Sequence, residues 1–371
     1  MTTTAPPTPP RRRARSAAVV AVCAALALAA GLALRPAPSR LPAAHEGDAE
    51  LAALAREVVG EDRPALAVAA VTPHGTRTAV IGAAHDARFE VGSISKGLTG
   101  LLFADMIERG EVRPGTRVGE LVTVGGPVAD VTLAQLATHH SGLPPQPPTL
   151  SQMARNWWGS VAAANPYGAT VAERVASLDG AELDAAPATY SNSGFELLGA
   201  ALAAAAGKPY PQLLAERVLA PLGTRGTTVP VSPAELGPRD LRGETSGGRH
   251  AAPWVGEAIA SAGGVRSDIT DMATLARALL AGDAPGADAL VPKAPFPPEP
   301  GEQIGWAWFT TPAPGSGRPV VWHNGGTGGF TAFIGIDGER QVGVVVLSAV
   351  GEGPNHVTEA GFTLLERLGG R

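Results

Sequence analysis

The spacing of apolar residues changes along the chain, and each change marks an element. From Leu51 to Val59 the apolar side chains recur at helical spacing, which predicts an amphipathic helix at the start of the folded part. The runs ALAVAAV (Ala65–Val71) and TRTAVIG (Thr76–Gly82) flank Pro73-His74-Gly75 and predict two strands joined by a tight turn. A helix is predicted to start at Ser93 or Ser95, run through GLTGLLFADMIERG and end at Gly110. Between about residues 111 and 300, helical patterns broken by Pro/Gly loops cover Thr132–Thr138, Thr170–Leu178, Phe195–Ala205, Tyr210–Val218 and Asp268–Leu280. Strand character returns at Gly305–Thr310, Val320–Asn324, Thr331–Asp337 and Val342–Ser348, before a last helix around Asn355–Leu368. The expected fold class is therefore α+β: an antiparallel sheet flanked by N- and C-terminal helices, with a mainly helical insertion.

The N-terminus follows a different pattern. Residues 1–15 include Arg11, Arg12, Arg13 and Arg15, and an uncharged stretch runs from Ser16 to Leu34. About 20 apolar residues span a bilayer as a helix, whereas the apolar part of an export signal is shorter. Residues 16–34 are thus a signal sequence or a transmembrane anchor, and small residues near Ala30 to Ala33 leave cleavage open. Either way the arginines stay cytoplasmic and the rest is expected outside the cytoplasmic membrane. Residues 35–48 read as a Pro/Ala-rich linker and 49–371 as the folded domain. The single cysteine, Cys23, lies inside the apolar stretch, so the exported part is expected to have no disulfide.

Composition narrows the classes. The formal charge of −5, with no basic cluster beyond the extreme N-terminus, argues against nucleic acid as a partner. His45, His74, His85, His250 and His356 show no metal-ligand spacing, and no metal or cofactor is expected.

The candidate chemistry begins at FEVGSISKGLTG, where Ser93 and Lys96 stand three residues apart and share a helix face. A serine hydroxyl needs a base to become a nucleophile, and a neutral lysine amine is one of the few groups that serves. Lysine's pKa must fall by roughly three units for this, about 4 kcal/mol of environment. The alternative is a plain helix N-cap. Downstream, ATYSNSGFELLGA places Tyr190 and Asn192 two residues apart before a helix, and VVWHNGGTGGFTAFIGI sets His323-Asn324-Gly325 at a strand end. Taken singly these are a loop with a capping residue and a hairpin turn. In this order they follow S-x-x-K, S/Y-x-N and K-T-G, the signature of penicillin-recognising serine enzymes.

With these motifs, and with TLAQLATHHSGLP (Thr132–Pro144) and SAGGVRSDITDMATLARALL (Ser261–Leu280), the chain from about residue 50 onward resembles the serine β-lactamase and penicillin-binding-protein superfamily, in its class C-like branch. The resemblance implies a β-lactamase/transpeptidase-like fold and a serine hydrolase that works through an acyl-enzyme. Ser93 would be acylated, Lys96 would take its proton, and Tyr190 would exchange protons with the attacking or leaving group. Asn192, His323, Asn324 and Gly325 would bind substrate, and the amides of Ser93 and Gly326 would form the oxyanion hole. Substrates implied are D-Ala-D-Ala-type peptides of peptidoglycan, β-lactams or small esters, and the rival reading is a silent wall-binding module. His323 replaces the lysine of K-T-G, so activity on carboxylate-bearing substrates is expected to fall as pH rises through its pKa. His139, His140 and Ser141 are read as structural, and Trp157, Trp158, Trp306, Trp308 and Trp322 as core.

Overall fold

The computed structural model describes Cys23 and residues 36–147, 149–185 and 188–369. Residues 38–371 form one compact unit. Strands β1 (His45–Gly47), β2 (Leu66–Thr72) and β3 (Gly75–Ile81) are joined much later in the chain by β4 (Ala294–Pro295), β5 (Gln303–Ile304) and β6 (Phe309–Pro312). Three long strands, β7 (Pro319–Gly326), β8 (Thr331–Asp337) and β9 (Val342–Ser348), complete the sheet. Its order is β1-β3-β2-β9-β8-β7-β6-β5-β4, antiparallel throughout. The chain therefore leaves the sheet after β3, builds its helical part, and returns to the same sheet, as the changes in apolar spacing predict. His45–Gly47, assigned to the linker on composition, is instead an edge strand on β3.

Both faces of the sheet are covered, which is why β2, β8 and β9 read as nearly continuous apolar runs. Side chains alternate between the faces. Leu66, Val68 and Ala70 pack with α1 (Ala49–Val59) and α9 (Pro354–Leu368); Ala67, Ala69 and Val71 pack with the helical part, including α8 (Ile269–Ala281). That part contains α2 (Ile94–Glu108), α3 (Leu133–Ala137), α4 (Leu150–Ala162), α5 (Val171–Leu178), α6 (Asn192–Ala206) and α7 (Tyr210–Leu214). α4 is absent from the helices predicted above: its apolar residues face outward, so the pattern does not mark a core-facing stripe.

Helix α2 is buried over most of its length and lies against the loop before β6. A Cβ on Gly100 would lie 2.0 Å from the Trp306 carbonyl oxygen, so only glycine allows that approach. Trp308 Nε1 donates to the Gly97 carbonyl at 3.1 Å and completes the contact. Trp306 and Trp308 are buried as expected, and Trp322 is half-buried; Trp157 and Trp158 are exposed, contrary to the core reading.

Among the described residues no helix is long and apolar enough to cross a membrane. The segment 16–34 lies, apart from Cys23, outside the described residues.

Candidate active site

Ser93 stands at the N-terminal boundary of α2, but its side chain makes no capping hydrogen bond, which sets the N-cap reading aside. Ser95 holds the local turn instead, donating to the Gly92 carbonyl at 2.7 Å and accepting from Val265 N at 3.1 Å. The segment before Ser93 is held by a two-residue ladder, Phe89–Glu90 with Arg266–Ser267. A buried ion pair of Arg266 Nη2 and Glu90 Oε1 at 2.6 Å runs across that ladder.

Lys96 is fully buried one turn beyond Ser93. Its Nζ lies 2.9 Å from Ser93 Oγ, 2.7 Å from Asn192 Oδ1 and 2.7 Å from the Ala262 carbonyl oxygen. These contacts suit both protonation states. An ammonium donates to all of them; a neutral amine donates to the two carbonyl oxygens and accepts from the serine hydroxyl, the arrangement that activates a nucleophile. Burial pulls the Lys96 pKa down to about 7, opposed by the nearby Glu196 carboxylate.

Tyr190 hydrogen-bonds with Ser93, and Lys96 Nζ lies 4.9 Å from its ring centroid. Enclosure raises its phenol well above the ordinary value, against the effect of a hydrogen bond with Ser93. It therefore rests as a proton donor. Asn192 opens α6, capped by Ser191 Oγ accepting from Gly194 N at 2.9 Å. The Asn192 amide donates to Tyr167 Oη at 3.0 Å while its oxygen receives Lys96.

The third motif comes from β7, whose alternation separates its residues. His323 faces α2, while Asn324 faces α9 and donates from Nδ2 to Thr358 Oγ1 at 2.8 Å. The Asn324 side chain is thus on the far side of the sheet from Ser93, because one residue's shift along a strand reverses the face. Gly325 abuts the segment before Ser93: a Cβ there would lie 2.0 Å from the Val91 carbonyl oxygen and 3.0 Å from Ser93 N. A Cβ on Gly92 would meet Gly326 N at 2.7 Å, so the amides of Ser93 and Gly326 belong to one close approach.

His323 is fully buried, and burial with the nearby Lys96 pushes its pKa down to about 3. It is neutral throughout the physiological range. The pH dependence expected from its titration is therefore corrected: burial removes the charge that such a change requires. His323 Nδ1 lies 2.6 Å from the Asn324 carbonyl oxygen, which assigns the proton to Nδ1 and leaves Nε2 as an acceptor with no partner among the described residues.

Several residues of the site carry no motif. His139 holds the Tyr190 segment from both sides: its carbonyl accepts from Thr189 N at 2.9 Å and its Nδ1 from Ser191 N at 3.1 Å. Its ring centroid is 4.4 Å from that of Tyr190, and its backbone is left-handed at φ 60°. Behind Asn192, Gln146 donates to Tyr167 Oη at 2.6 Å. Further back, Arg174 and Glu196 form a buried ion pair at 2.5 Å, and burial lifts the Glu196 carboxyl to about 7. The only trace of Gln146 in the sequence is a polar residue inside LPPQPP. Glu196 and Arg174 sit in helices whose pattern says nothing about pairing. Among the described residues there is no cluster of metal-ligating side chains.

Comparison with known proteins bears on the family and on the fold. The Beta-lactamase family model matches residues 51–367. The chain is 31% identical over 298 residues to the D-alanyl-D-alanine-carboxypeptidase/endopeptidase AmpH of Escherichia coli (strain K12), covering 71% of each chain. A class C beta lactamase from Rhodobacter sphaeroides superposes with a TM-score of 0.70 at 24% identity, covering 86% of this chain and 98% of that one. The octameric penicillin-binding protein homologue from Pyrococcus abyssi does so with a TM-score of 0.70 at 22% identity, covering 86% and 76%. These two likenesses speak to the fold: an antiparallel sheet with flanking helices of the β-lactamase/transpeptidase type. From the extent of the family match and the relative that spans most of it, the chain belongs to the Beta-lactamase family.

Proposed function

We propose that the protein is an exported serine hydrolase that transfers an acyl group to Ser93 and then to water. The observation that carries this is the Lys96 amine, buried with a pKa near 7 and 2.9 Å from the Ser93 hydroxyl. Neutral Lys96 takes the hydroxyl proton as Oγ attacks the substrate carbonyl, and the amides of Ser93 and Gly326 receive the developing oxyanion. Collapse breaks the bond to the leaving group, which takes a proton from the Tyr190 phenol; the proton held by Lys96 restores the phenol. Water repeats the sequence on the acyl-enzyme and frees Ser93. Asn192, tied to both Lys96 and Tyr167, would position the substrate amide.

The substrates proposed are peptidoglycan peptides ending in D-Ala-D-Ala and small esters, ahead of β-lactams. The name of the Escherichia coli relative supports the peptide class. The neutral His323 favours neutral esters over substrates with a free carboxylate, penicillins and D-Ala-D-Ala termini alike, because no fixed cation stands at that position. Residues 16–34 are proposed to deliver the domain across the cytoplasmic membrane, as a cleaved signal or a retained anchor.

Intact-mass spectrometry after mixing with a penicillin and, separately, an activated ester tests the reading. Ester turnover or a covalent adduct in the native chain, both absent in Ser93→Ala, is expected; turnover that survives the substitution would remove Ser93 from the mechanism.

A further inference from the structure

Of the large apolar side chains exposed among the described residues, nearly all belong to α4: Leu150 (86% exposed), Met153 (60%), Trp157 (64%), Trp158 (56%) and Val161 (50%). Leu150, Met153, Trp157 and Val161 follow helical spacing and form one outward stripe, with Trp158 at its edge. The helix is inverted relative to an ordinary surface helix, since its polar side faces the protein. Gln152 is buried, and its Nε2 lies 2.8 Å from Asn156 Oδ1, 3.2 Å from Gln146 Oε1 and 3.2 Å from the Pro166 carbonyl oxygen. These bonds fix which face looks outward, so the exposed stripe is built in. Contiguous exposed apolar surface of this kind marks an interaction site.

Charge narrows the occupant. No Asp or Glu occurs between Asp130 and Glu173, in a chain whose net charge is −5. The charges carried by α4 or bonded to it are cations: Arg155 on α4 itself, with the Glu173 carboxylate in its vicinity, and Arg249, which donates to the Val161 carbonyl at 2.7 Å. A second copy of the chain would bring like charges together across the stripe; an anionic headgroup layer would neutralise them. Adjacent tryptophans beside long apolar side chains suit the boundary between headgroups and acyl chains. We propose that the outer face of α4 docks onto the surface of an anionic lipid bilayer. The polar side of the same helix continues from Gln152 through Gln146 and Tyr167 to Asn192, so docking would tie the catalytic residues to the docked helix through three successive hydrogen bonds.

The test uses the full chain bound to vesicles of phosphatidylglycerol and phosphatidylcholine whose acyl chains carry bromine, which quenches tryptophan within the bilayer. The apolar run 16–34 contains no tryptophan, so its own insertion gives no signal. Quenching is expected in the native chain, with loss of most of it in Trp157→Phe/Trp158→Phe and in Leu150→Ser/Met153→Ser/Val161→Ser. Both variants change exposed residues and should keep native hydrolysis and unfolding midpoints. Absence of quenching in vesicle-bound native chain would overturn the proposal. So would lipid-free dimerisation, seen by sedimentation, that is lost in the same variants, because it would assign the stripe to a second copy. Neither result depends on Ser93 chemistry.

Discussion

At the residue scale, the site rests on burial that keeps groups in the protonation state their role needs. Lys96 and Glu196 both have pKa values near 7, and Lys96 is the one in contact with Ser93. The kcat/KM for a neutral ester should rise with pH through the coupled ionisations of Lys96 and Glu196 near 7 and then level. A penicillin should show the same limb and no further ionisation of its own between about pH 5 and 8, because His323 stays neutral there. Lys96→Arg keeps the charge at every pH and should lower acylation by about 10²- to 10⁴-fold. A separate ionisation for penicillin alone would mean that His323 titrates. His139 acts through position: its left-handed backbone costs on the order of 1 kcal/mol, held by bonds to Thr189 and Ser191 on either side of Tyr190. His139→Ala should lower kcat roughly 10- to 100-fold with KM little changed. His139→Asn tolerates the same backbone and offers an acceptor, so it should recover part of the rate. A loss traced entirely to a smaller folded fraction would make His139 merely structural. Of these residues, Ser93, Lys96, Tyr190 and Asn192 stand out in the sequence because local spacing carries them. His139 does not, because its meaning lies in bonds to residues about fifty positions away.

At the scale of elements, the short ladder before Ser93 is the weak link with most consequence. Glu90 and Arg266 are both buried, and Glu90 also accepts from Trp254 N at 2.9 Å. Burial raises the Glu90 pKa against the pull of Arg266, so the pair is retained by geometry more than by net gain. Glu90→Ala leaves a buried guanidinium without its closest partner and should destabilise the fold by roughly 3–5 kcal/mol. Denaturant unfolding measures it; a loss under about 1 kcal/mol would show that Asp240, 3.7 Å from Arg266, takes over the pairing. The long strands and most helices were predictable because periodicity encodes which side is buried. The short strands β1, β4 and β5 were not: each is two or three residues long and has no period to read. Helix α4 escaped for the opposite reason, since its stripe is apolar but faces away from the core.

At the scale of the whole molecule, buried titratable groups shape stability against pH. Lys96 has a folded pKa below its unfolded value, so between about pH 7 and 10 the unfolded chain binds more protons and stability rises with pH. Tyr190 and Tyr210 have raised folded values, so above about pH 10 the unfolded chain loses protons first and stability falls. Between about pH 4.5 and 6.5 the lowered values of His139 and His323 and the raised value of Glu196 act in opposite senses. Below about pH 4.5 the histidines dominate, the unfolded chain again binds more protons, and stability falls. The urea midpoint followed across pH should peak on the alkaline side, and Lys96→Met should flatten the limb from 7 to 10; an unchanged limb would refute the assignment. The sequence by itself determined the α+β layout, the return of the chain to one sheet, and the pairing of Ser93 with Lys96 one turn on, because period and short spacing are local properties of a chain. Only the tertiary structure decided which face of β7 each residue of the third motif takes, that His323 is neutral, that His139 holds Tyr190, and that α4 turns its apolar side outward. Burial, register and the environment that sets a pKa are made by segments far apart in sequence, and they exist only once those segments have packed.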